Sequence, residues 1–250
     1  MLSNSQIKLF KSLHTKKFRV TENQFLIEGH RLMEEAFRAK TKFDGIWCSE
    51  EYGKKNGEFL IALKRAGNKW ESTSSKRLSQ VCNSQHNQGI IALLPLPEQT
   101  EFKSVNSPIL LLDNVSDPGN MGTLLRTAEW FGVKNLILSP KCVDIYNSKV
   151  IRSAMGAHFH LNQIIHENLL HIIPQLKKNG FTIIGADMDG TSIDKFVPPQ
   201  KWALVLGNEA HGLSPHIKSL LDERITIPKI GNIESLNVAV AGGVILNSLV

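Results

Sequence analysis

The residues of this chain best suited to chemistry lie in three turn-rich segments of its C-terminal half. The first segment, residues 113–132, reads DNVSDPGNMGTLLRTAEWFG: an apolar run ends at Asp113, and a predicted helix carrying Arg126 follows. An arginine on an early turn of a helix, next to a glycine-containing entry, suits the capture of an anion such as a phosphate. This segment therefore predicts an anion-binding position at the end of a strand.

The second and third segments repeat the pattern of an apolar run that opens into a glycine-containing loop. Residues 204–215 (LVLGNEAHGLSP) place Glu209 between two glycines, and residues 227–243 (IPKIGNIESLNVAVAGG) place Ser235 and Asn237 before a helix rich in small residues. Ligands bind at the carboxyl ends of strands in open α/β sheets, and small residues let backbone approach a flat ligand closely. Three such loops in one domain favour a binding site over three plain structural turns.

Several familiar kinds of site are missing from the sequence. No G-x-G-x-x-G follows the first strand of the C-terminal half, and residues 207–212 (GNEAHG) lack the Lys-Ser/Thr pair of a P-loop, which argues against a standard dinucleotide or NTP site. The three cysteines form no C-x-x-C pair, so we expect reduced structural thiols. His158 and His160 are predicted to share one face of a strand, but with no third ligand evident we expect no metal.

Alternating strands and helices after residue 108 predict an α/β fold with a parallel sheet. The strand candidates are near-continuous apolar runs, as expected for strands buried on both faces, and their alternation with helices favours right-handed crossovers. The predicted strands span residues 109–113, 135–138, 181–186 and 202–206, and the predicted helices span 121–131, 169–178, 215–221 and 237–249.

The first hundred residues predict a smaller α/β domain. An amphipathic helix is predicted over residues 25–40, where Leu32, Met33, Ala36 and Phe37 share one face. Further strands are predicted at 45–48 and 89–94, and further helices at 58–66 and 75–82. Three prolines and the lack of periodicity over 93–108 place a linker at 97–107, which divides the chain into domains of residues 1–96 and 108–250.

The formal charge of +6 is confined to the N-terminal part, because residues 1–100 carry 16 Lys and Arg against 10 Asp and Glu while residues 101–250 carry 13 of each. A basic asymmetric surface suits a polyanion, since neutralising phosphates releases counterions; a solvated surface with no partner is the alternative. No apolar run reaches the roughly 18 residues that span a bilayer, and no secretory signal is present. We therefore expect a soluble cytoplasmic protein with no membrane partner.

Taken together, the three segments resemble, in order, the three motifs of the SpoU or TrmH family of RNA methyltransferases, which belongs to the knotted SPOUT class. The residues that carry the resemblance are Asn114, Asp117, Pro118, Asn120, Gly122, Arg126, Thr127 and Ala128, then Gly207, Glu209 and Gly212, then Ile227, Pro228, Ser235, Leu236, Asn237 and Ala241. Their ordered occurrence makes the resemblance specific. Upstream, NQFLIEGHRLMEEAF and HNQGIIAL resemble the ribosomal-L30e-like substrate-binding domain of many family members.

The resemblance implies methylation of a ribose 2′-hydroxyl in structured RNA, with S-adenosylmethionine as cofactor. It also implies that the C-terminal sheet is tied in a deep trefoil knot, which no sequence periodicity reveals. The backbone of Leu206, Gly207, Ile227 and Leu236, together with Asn237, is expected to hold the cofactor.

The same resemblance assigns catalysis to Arg126, with Asn120, Glu209, Ser235 and Asn237 completing the polar lining. Because a guanidinium is a permanent cation and a poor proton acceptor, we expect Arg126 to bind the adjacent phosphate and polarise the hydroxyl, while phosphate or water accepts the proton. Glu209 is expected to organise the loops or to position an arginine of the partner subunit. A homodimer is also implied, in which the arginine of one subunit lies near the cofactor of the other.

Lys16, Lys17, Arg19, Arg31 and Arg152 are the predicted contacts to RNA. An L30e-like domain favours ribosomal over transfer RNA, and the nucleotide is left open. A non-catalytic RNA-binding protein that retains the SPOUT fold is the main alternative, disfavoured because the signature residues are all present. A base methyltransferase of the same class is disfavoured because its motifs differ around the arginine and the Ser-x-Asn.

Overall fold

The computed structural model describes residues 1–83, 88–98 and 101–250. The chain forms two compact units: unit 1 comprises Met1–Glu98 and Tyr146–Phe159, and unit 2 comprises Gln99–Ile145 and His160–Val250. Within the described ranges, no helix has both the length and the apolarity needed to cross a membrane.

Helices and strands alternate along much of the chain. The α-helices are α1 (Asn4–Ser12), α2 (Lys16–Glu22), α3 (His30–Arg38), α4 (Glu50–Lys55), α5 (Gly57–Arg65), α6 (Ser75–Ser79), α7 (Pro118–Trp130), α8 (Ser148–Ala154), α9 (Leu169–Lys178), α10 (Pro215–Lys218) and α11 (Val238–Leu249). The strands are β1 (Gln24–Glu28), β2 (Gly45–Ser49), β3 (Glu71–Thr73), β4 (Ile90–Pro95), β5 (Ile109–Leu112), β6 (Asn135–Leu138), β7 (Gln163–His166), β8 (Thr182–Ser192), β9 (Trp202–Leu206) and β10 (Glu223–Thr226). Short 3-10 helices span Ala157–Phe159 and Ile193–Lys195.

Unit 1 contains a four-stranded sheet in the order β1-β4-β2-β3, in which β2 and β3 are parallel and the other neighbours antiparallel. Burial alternates along β1, where Phe25 and Ile27 face the core. The predicted helix over 25–40 was therefore wrong in its first part: the two-residue alternation of β1 pairs with β4, and Gly29, with φ of 97°, turns the chain into α3.

Residues 146–159 return to unit 1 although they lie within the stretch that otherwise forms unit 2. Ile151 of α8 is buried in the unit 1 core, and the ring of Tyr146 lies 4.8 Å from that of Phe25. The predicted strand carrying His158 and His160 is wrong, because His158 lies in a 3-10 helix that ends at Phe159. The division of the chain at 97–107 did not include this returning segment.

Unit 2 contains a six-stranded parallel sheet in the order β10-β8-β9-β5-β6-β7. Every residue of β5, β6 and β9 is buried, as the continuous apolar runs predict for strands covered on both faces. The predicted α/β fold with a parallel sheet is confirmed. The edge strands β7 and β10 escaped prediction because each mixes apolar with polar or charged residues.

Neighbouring strands β5 and β9 bring two of the three segments together. Their register pairs Leu112 with Leu206, so both strands end at the same edge of the sheet. Two strands further along lies β10, with β8 between it and β9. The loops that begin at residues 113, 207 and 227 therefore all leave the sheet at the carboxyl ends of its strands, where α/β proteins place their ligands.

Candidate active site

Helix α7 carries Arg126 and begins at a well-defined N-cap. The Asp117 side chain caps the helix by accepting the Asn120 backbone N–H at 2.8 Å, and Pro118 occupies the first turn, where its missing N–H has no consequence. Leu125 on the same helix is buried, whereas Arg126 is exposed. The guanidinium is therefore accessible to an anion from solvent.

The loop after β9 is folded back on itself so tightly that residue 207 must be glycine. Asn208 and Gly212 form an antiparallel bridge, with backbone hydrogen bonds of 3.0 and 2.9 Å. A Cβ on Gly207 would lie 2.3 Å from the carbonyl carbon of Gly212 and 2.5 Å from the Leu213 nitrogen. Both obstacles are backbone atoms, so the clash could be relieved only by opening the loop.

Asn208, which the sequence analysis did not single out, fixes this loop to the first segment. Its Nδ2 donates to the Asn114 carbonyl at 2.8 Å, and its Oδ1 accepts the backbone N–H groups of Ala210 and His211. An asparagine that accepts backbone N–H groups two and three residues on is typical of turns. The signal for this turn in the sequence is the position of Asn208, four residues before Gly212.

Glu209 joins the second segment to the first through both carboxylate oxygens. Its Oε1 accepts the Asp117 backbone N–H and Asn120 Nδ2, each at 3.1 Å. Its Oε2 accepts weaker bonds from the Ser116 N–H and hydroxyl at 3.4 Å and from Asn208 Nδ2 at 3.3 Å. The expectation that Glu209 organises the loops agrees with this geometry.

These donors keep Glu209 ionised. Partial burial by itself would raise the pKa of the carboxyl, but hydrogen bonds from its own backbone, Asn120, Asp117 and Ser116 outweigh it, so the pKa is lowered from 4.5. Near neutral pH the side chain acts as a fixed anion rather than as a proton donor.

The third segment joins the same network through Asn237. Its Nδ2 donates to Asn120 Oδ1 at 2.8 Å, while its Oδ1 caps α11 by accepting the backbone N–H groups of Ala239 and Val240. Asn120 thus donates to Glu209 and accepts from Asn237, so that side chains from all three segments form one chain of hydrogen bonds. Ser235 is exposed and has no hydrogen bond to this chain among the described residues.

A second cluster supports the turn at the end of β5. Asn114 adopts a left-handed conformation with φ of 58°, and the buried Ser139 hydroxyl accepts its N–H at 2.8 Å and donates to its Oδ1 at 3.2 Å. Ser139 was not predicted from the sequence, because a serine at the end of a strand gives no distinguishing signal.

The residues predicted to hold S-adenosylmethionine lie at the ends of β9 and β10 and in the third segment. Leu206 ends β9, Gly207 follows it and both are buried, Ile227 is half-buried just after β10, and Leu236 exposes 45% of its surface. The ends of β9 and β10 are separated by the single strand β8, a gap of about 10 Å. Backbone groups at both sides and an exposed aliphatic side chain fit a flat, largely neutral adenosine.

The predicted RNA contacts of unit 1 differ in accessibility. Lys16, Lys17 and Arg31 are exposed, and Arg152 is half-buried. Arg19 is a correction: it is only 3% exposed, and its Nη1 donates to the Leu13 carbonyl at 2.7 Å, so it supports the connection between α1 and α2. A buried guanidinium cannot reach a phosphate.

Comparison with known proteins shows the family to which this chain belongs. The SpoU rRNA Methylase family model matches residues 107–247, and the MRM3-like substrate binding domain model matches residues 4–92. The chain belongs to the SpoU rRNA methylase family. Membership confirms the predicted enzyme class, an RNA 2′-O-ribose methyltransferase that uses S-adenosylmethionine.

Individual SpoU relatives match along the whole chain. The 23S rRNA (guanosine(2553)-2'-O)-methyltransferase RlmP of Bacillus subtilis is 34% identical over 98% of this chain and 96% of its own length. A TrmH-family protein from Porphyromonas gingivalis superposes with a TM-score of 0.86 at 30% identity, covering 100% of this chain and 98% of its own. The SpoU methyltransferase AviRb from Streptomyces viridochromogenes, solved with AdoMet, shares the fold at 22% identity, with a TM-score of 0.86 over 99% of this chain and 97% of its own.

Proposed function

We propose that this enzyme methylates the 2′-hydroxyl of a nucleotide in 23S rRNA, a guanosine equivalent to the one named for the Bacillus subtilis relative. The hydrogen-bonded chain from Glu209 through Asn120 to Asn237 carries the proposal, because it unites the three segments around α7. The relative matches both the substrate-binding and the methylase region. We also propose that the enzyme acts in the cytoplasm, where ribosomal RNA would be available to it.

Arg126 is proposed to bind the phosphate next to the target ribose and to polarise its 2′-hydroxyl. The side chain is exposed on α7, and a guanidinium is a permanent cation. A permanent cation does not abstract a proton, so the hydroxyl proton passes to phosphate or water. Asn120 lies six residues earlier on the same helix and ties its first turns to Glu209 and Asn237, which keeps the guanidinium in place.

S-adenosylmethionine supplies an electrophilic methyl group on a sulfonium. The backbone of Leu206, Gly207, Ile227 and Leu236 is proposed to hold its adenosine, with Asn237 and Ser235 lining the approach. Leu206 already accepts the Asp113 N–H with its carbonyl at 2.8 Å, so the second lone pair of that carbonyl is what it can offer. The trefoil knot expected for this family remains a prediction.

A homodimer is proposed to cover an apolar surface of unit 2. Trp130 at the end of α7 is 80% exposed, and Val240 and Val244, one turn apart on α11, are 55% and 38% exposed. Helices α7 and α11 pack together, since Gly242 of α11 closely approaches Leu124 of α7. A second copy would bury this surface beside the helix that carries Arg126.

The decisive experiment compares wild type with Arg126→Ala on ribosomal RNA from a strain lacking the enzyme, using labelled S-adenosylmethionine. Lys178→Ala is the matched control, because it removes an exposed cation from the far end of α9. Sites of 2′-O-methylation are mapped by resistance to alkaline hydrolysis. We expect one site in 23S rRNA with wild type and the control, and none with Arg126→Ala.

Two results would contradict the proposal. Cofactor binding without label in any RNA would favour the non-catalytic RNA-binding alternative. Label that gives no protection from alkaline hydrolysis would place the methyl group on a base.

A further inference from the structure

A groove on unit 1 is lined by three basic residues. The groove has a volume of about 610 Å³ and is lined by Phe37, Arg38, Lys40, Thr41, Lys42, Ala66 and Asn68. No carboxylate is among these lining residues. The groove lies where α3 and α5 end, at Arg38 and Arg65.

The sequence around the groove is basic and free of acids. Residues 36–43 (AFRAKTKF) and 59–70 (FLIALKRAGNKW) each contain three Lys or Arg and no Asp or Glu. Arg38 pairs with Glu35 at 2.9 Å, whereas Lys40 and Lys42 are exposed and have no ion pair within the described part of the chain.

Helix ends attract cations, but that effect does not explain all of these residues. The carboxyl end of a helix carries partial negative charge, which accounts for Arg38, Lys64 and Arg65 in the last turns of α3 and α5. Lys40 and Lys42 lie beyond the last turn of α3, where the effect has fallen off.

Lys40 occupies a position where its backbone is strained. Its N–H donates to the Phe37 carbonyl and the Thr41 N–H donates to the Ala36 carbonyl, which is the Schellman arrangement, and its φ is 56°. The residue at this position is usually glycine, because a Cβ disfavours positive φ. Lysine at this position therefore goes against the backbone preference for glycine.

Three of the other helices end on glycine in the same way, whereas α2 and α8 end on Asn23 and Met155, which also have positive φ. The same pair of hydrogen bonds ends α5 at Gly67, α7 at Gly132 and α9 at Gly180, with φ between 76° and 84°. The end of α5 at Gly67 borders the same groove, so a helix that ends at this groove can end on glycine. At position 40, by contrast, a lysine stands where these three helices have glycine.

We infer that this groove binds the phosphate backbone of the RNA substrate, with Lys40 and Lys42 as its principal contacts. Trp70, 37% exposed two residues beyond Asn68, offers a face on which an unpaired base can stack. The inference rests on the proposed function, because it takes the polyanion to be the RNA that the enzyme methylates. None of the residues predicted from sequence to contact RNA lines this groove.

The test removes the two charges without disturbing the backbone. The groove pair is Lys40→Asn with Lys42→Gln, since asparagine tolerates positive φ. The control pair, Lys54→Gln with Lys76→Gln, removes two exposed cations from α4 and α6 of the same unit. Binding of transcribed 23S rRNA is measured over a range of KCl concentrations, and methyl transfer is measured in parallel.

We expect the groove pair to bind RNA roughly 25-fold more weakly than wild type at about 0.1 M salt. The slope of log affinity against log salt concentration should become shallower by about 1.4, because each of the two lost phosphate contacts removes about 0.7 from that slope. The control pair should bind like wild type. Lys40→Arg with Lys42→Arg should retain affinity, because the charge is kept.

A groove pair that binds and methylates RNA like wild type would overturn the inference, as would loss of binding in the arginine pair. Failure of the proposed function looks different: the wild-type enzyme itself would transfer no methyl group to RNA.

Discussion

Replacing Glu209 by glutamine tests whether this carboxylate holds the active site together. The substitution keeps the size of the side chain and one carbonyl oxygen, which can still accept the Asp117 N–H and Asn120 Nδ2. The other oxygen becomes an NH₂ group that faces the Ser116 N–H and Asn208 Nδ2, both of which are donors. The variant therefore loses charge assistance in two bonds and places donors against one another.

The size of the effect follows from these contacts. A hydrogen bond to a charged group contributes roughly 1 kcal/mol more than a neutral one, and two such bonds are affected. Glu209 is half-buried, so water compensates part of the loss. We expect the free energy of unfolding to fall by about 1 to 2 kcal/mol. We expect kcat to fall by about 10- to 100-fold, because Asn120 loses a fixed partner and the helix carrying Arg126 loses its support.

The pH dependence has a definite sign. Because the pKa of Glu209 is lowered in the folded protein from 4.5, its contribution to stability is present above that value and is lost as the pH falls through the folded pKa. Urea unfolding of wild type, Glu209→Gln and the exposed control Glu223→Gln, followed by tryptophan fluorescence at a series of pH values, measures this contribution. The difference in the free energy of unfolding between wild type and Glu209→Gln should be largest near neutral pH and should shrink below pH 4.5. An equal difference across the whole series would refute the electrostatic reasoning, and unchanged kcat would refute the positioning role.

Three further predictions concern backbone positions. Lys40→Gly should raise the free energy of unfolding by about 1 kcal/mol by relieving positive φ, while it weakens RNA binding; unfolding and RNA-binding titrations of one preparation would show both, and a stabilised variant with unchanged affinity would contradict the role of the charge. Gly207→Ala should lower stability by about 3 kcal/mol or more and abolish cofactor binding, because its Cβ meets backbone at 2.3 Å. Gly212→Ala, where no atom lies within 4 Å but φ is 63°, should cost only about 1 to 2 kcal/mol in the same assays. Gly242→Ala, whose Cβ would lie 2.7 Å from a Leu124 methyl, should lower stability by about 1 to 3 kcal/mol in urea. Gly243→Ala, with a nearest neighbour at 3.6 Å, should be neutral or stabilising, and equal effects at the two glycines would disprove close packing of α11 on α7.

The bounds of helices and strands are predicted best where burial requires one particular spacing of apolar residues. Strands β6 and β9 and helix α9 match the predicted bounds, because continuous apolar runs and amphipathic spacing admit few alternatives. Strand β1 was mistaken for helix since FLIE joins directly to an amphipathic stretch, and only its pairing with β4 distinguishes the two. Tertiary context, in this case, overrides local periodicity.

At the site, the sequence indicates which residues matter but not how they are connected. Glu209, Asn120 and Asn237 were expected on one surface, yet their order in a hydrogen-bonded chain depends on the register of β5 against β9. Asn208 and Ser139 act through backbone groups of Asn114, which sequence types alone cannot reveal. For the same reason the burial of Arg19 could not be anticipated from its basic neighbours.

The returning segment around α8 limits how this protein can be recombined. Unit 1 is completed by residues that lie almost fifty positions after its first part ends, and Ile151 is buried in the same core cluster as Ile27. A gene fusion with one crossover near residue 98 would combine a foreign substrate-binding unit with an α8 that evolved against another surface. Exchanging RNA specificity between relatives therefore requires three matched junctions, at 98/99, 145/146 and 159/160. The two stretches that form unit 1 are thus expected to change together during evolution, as if they were one contiguous gene segment.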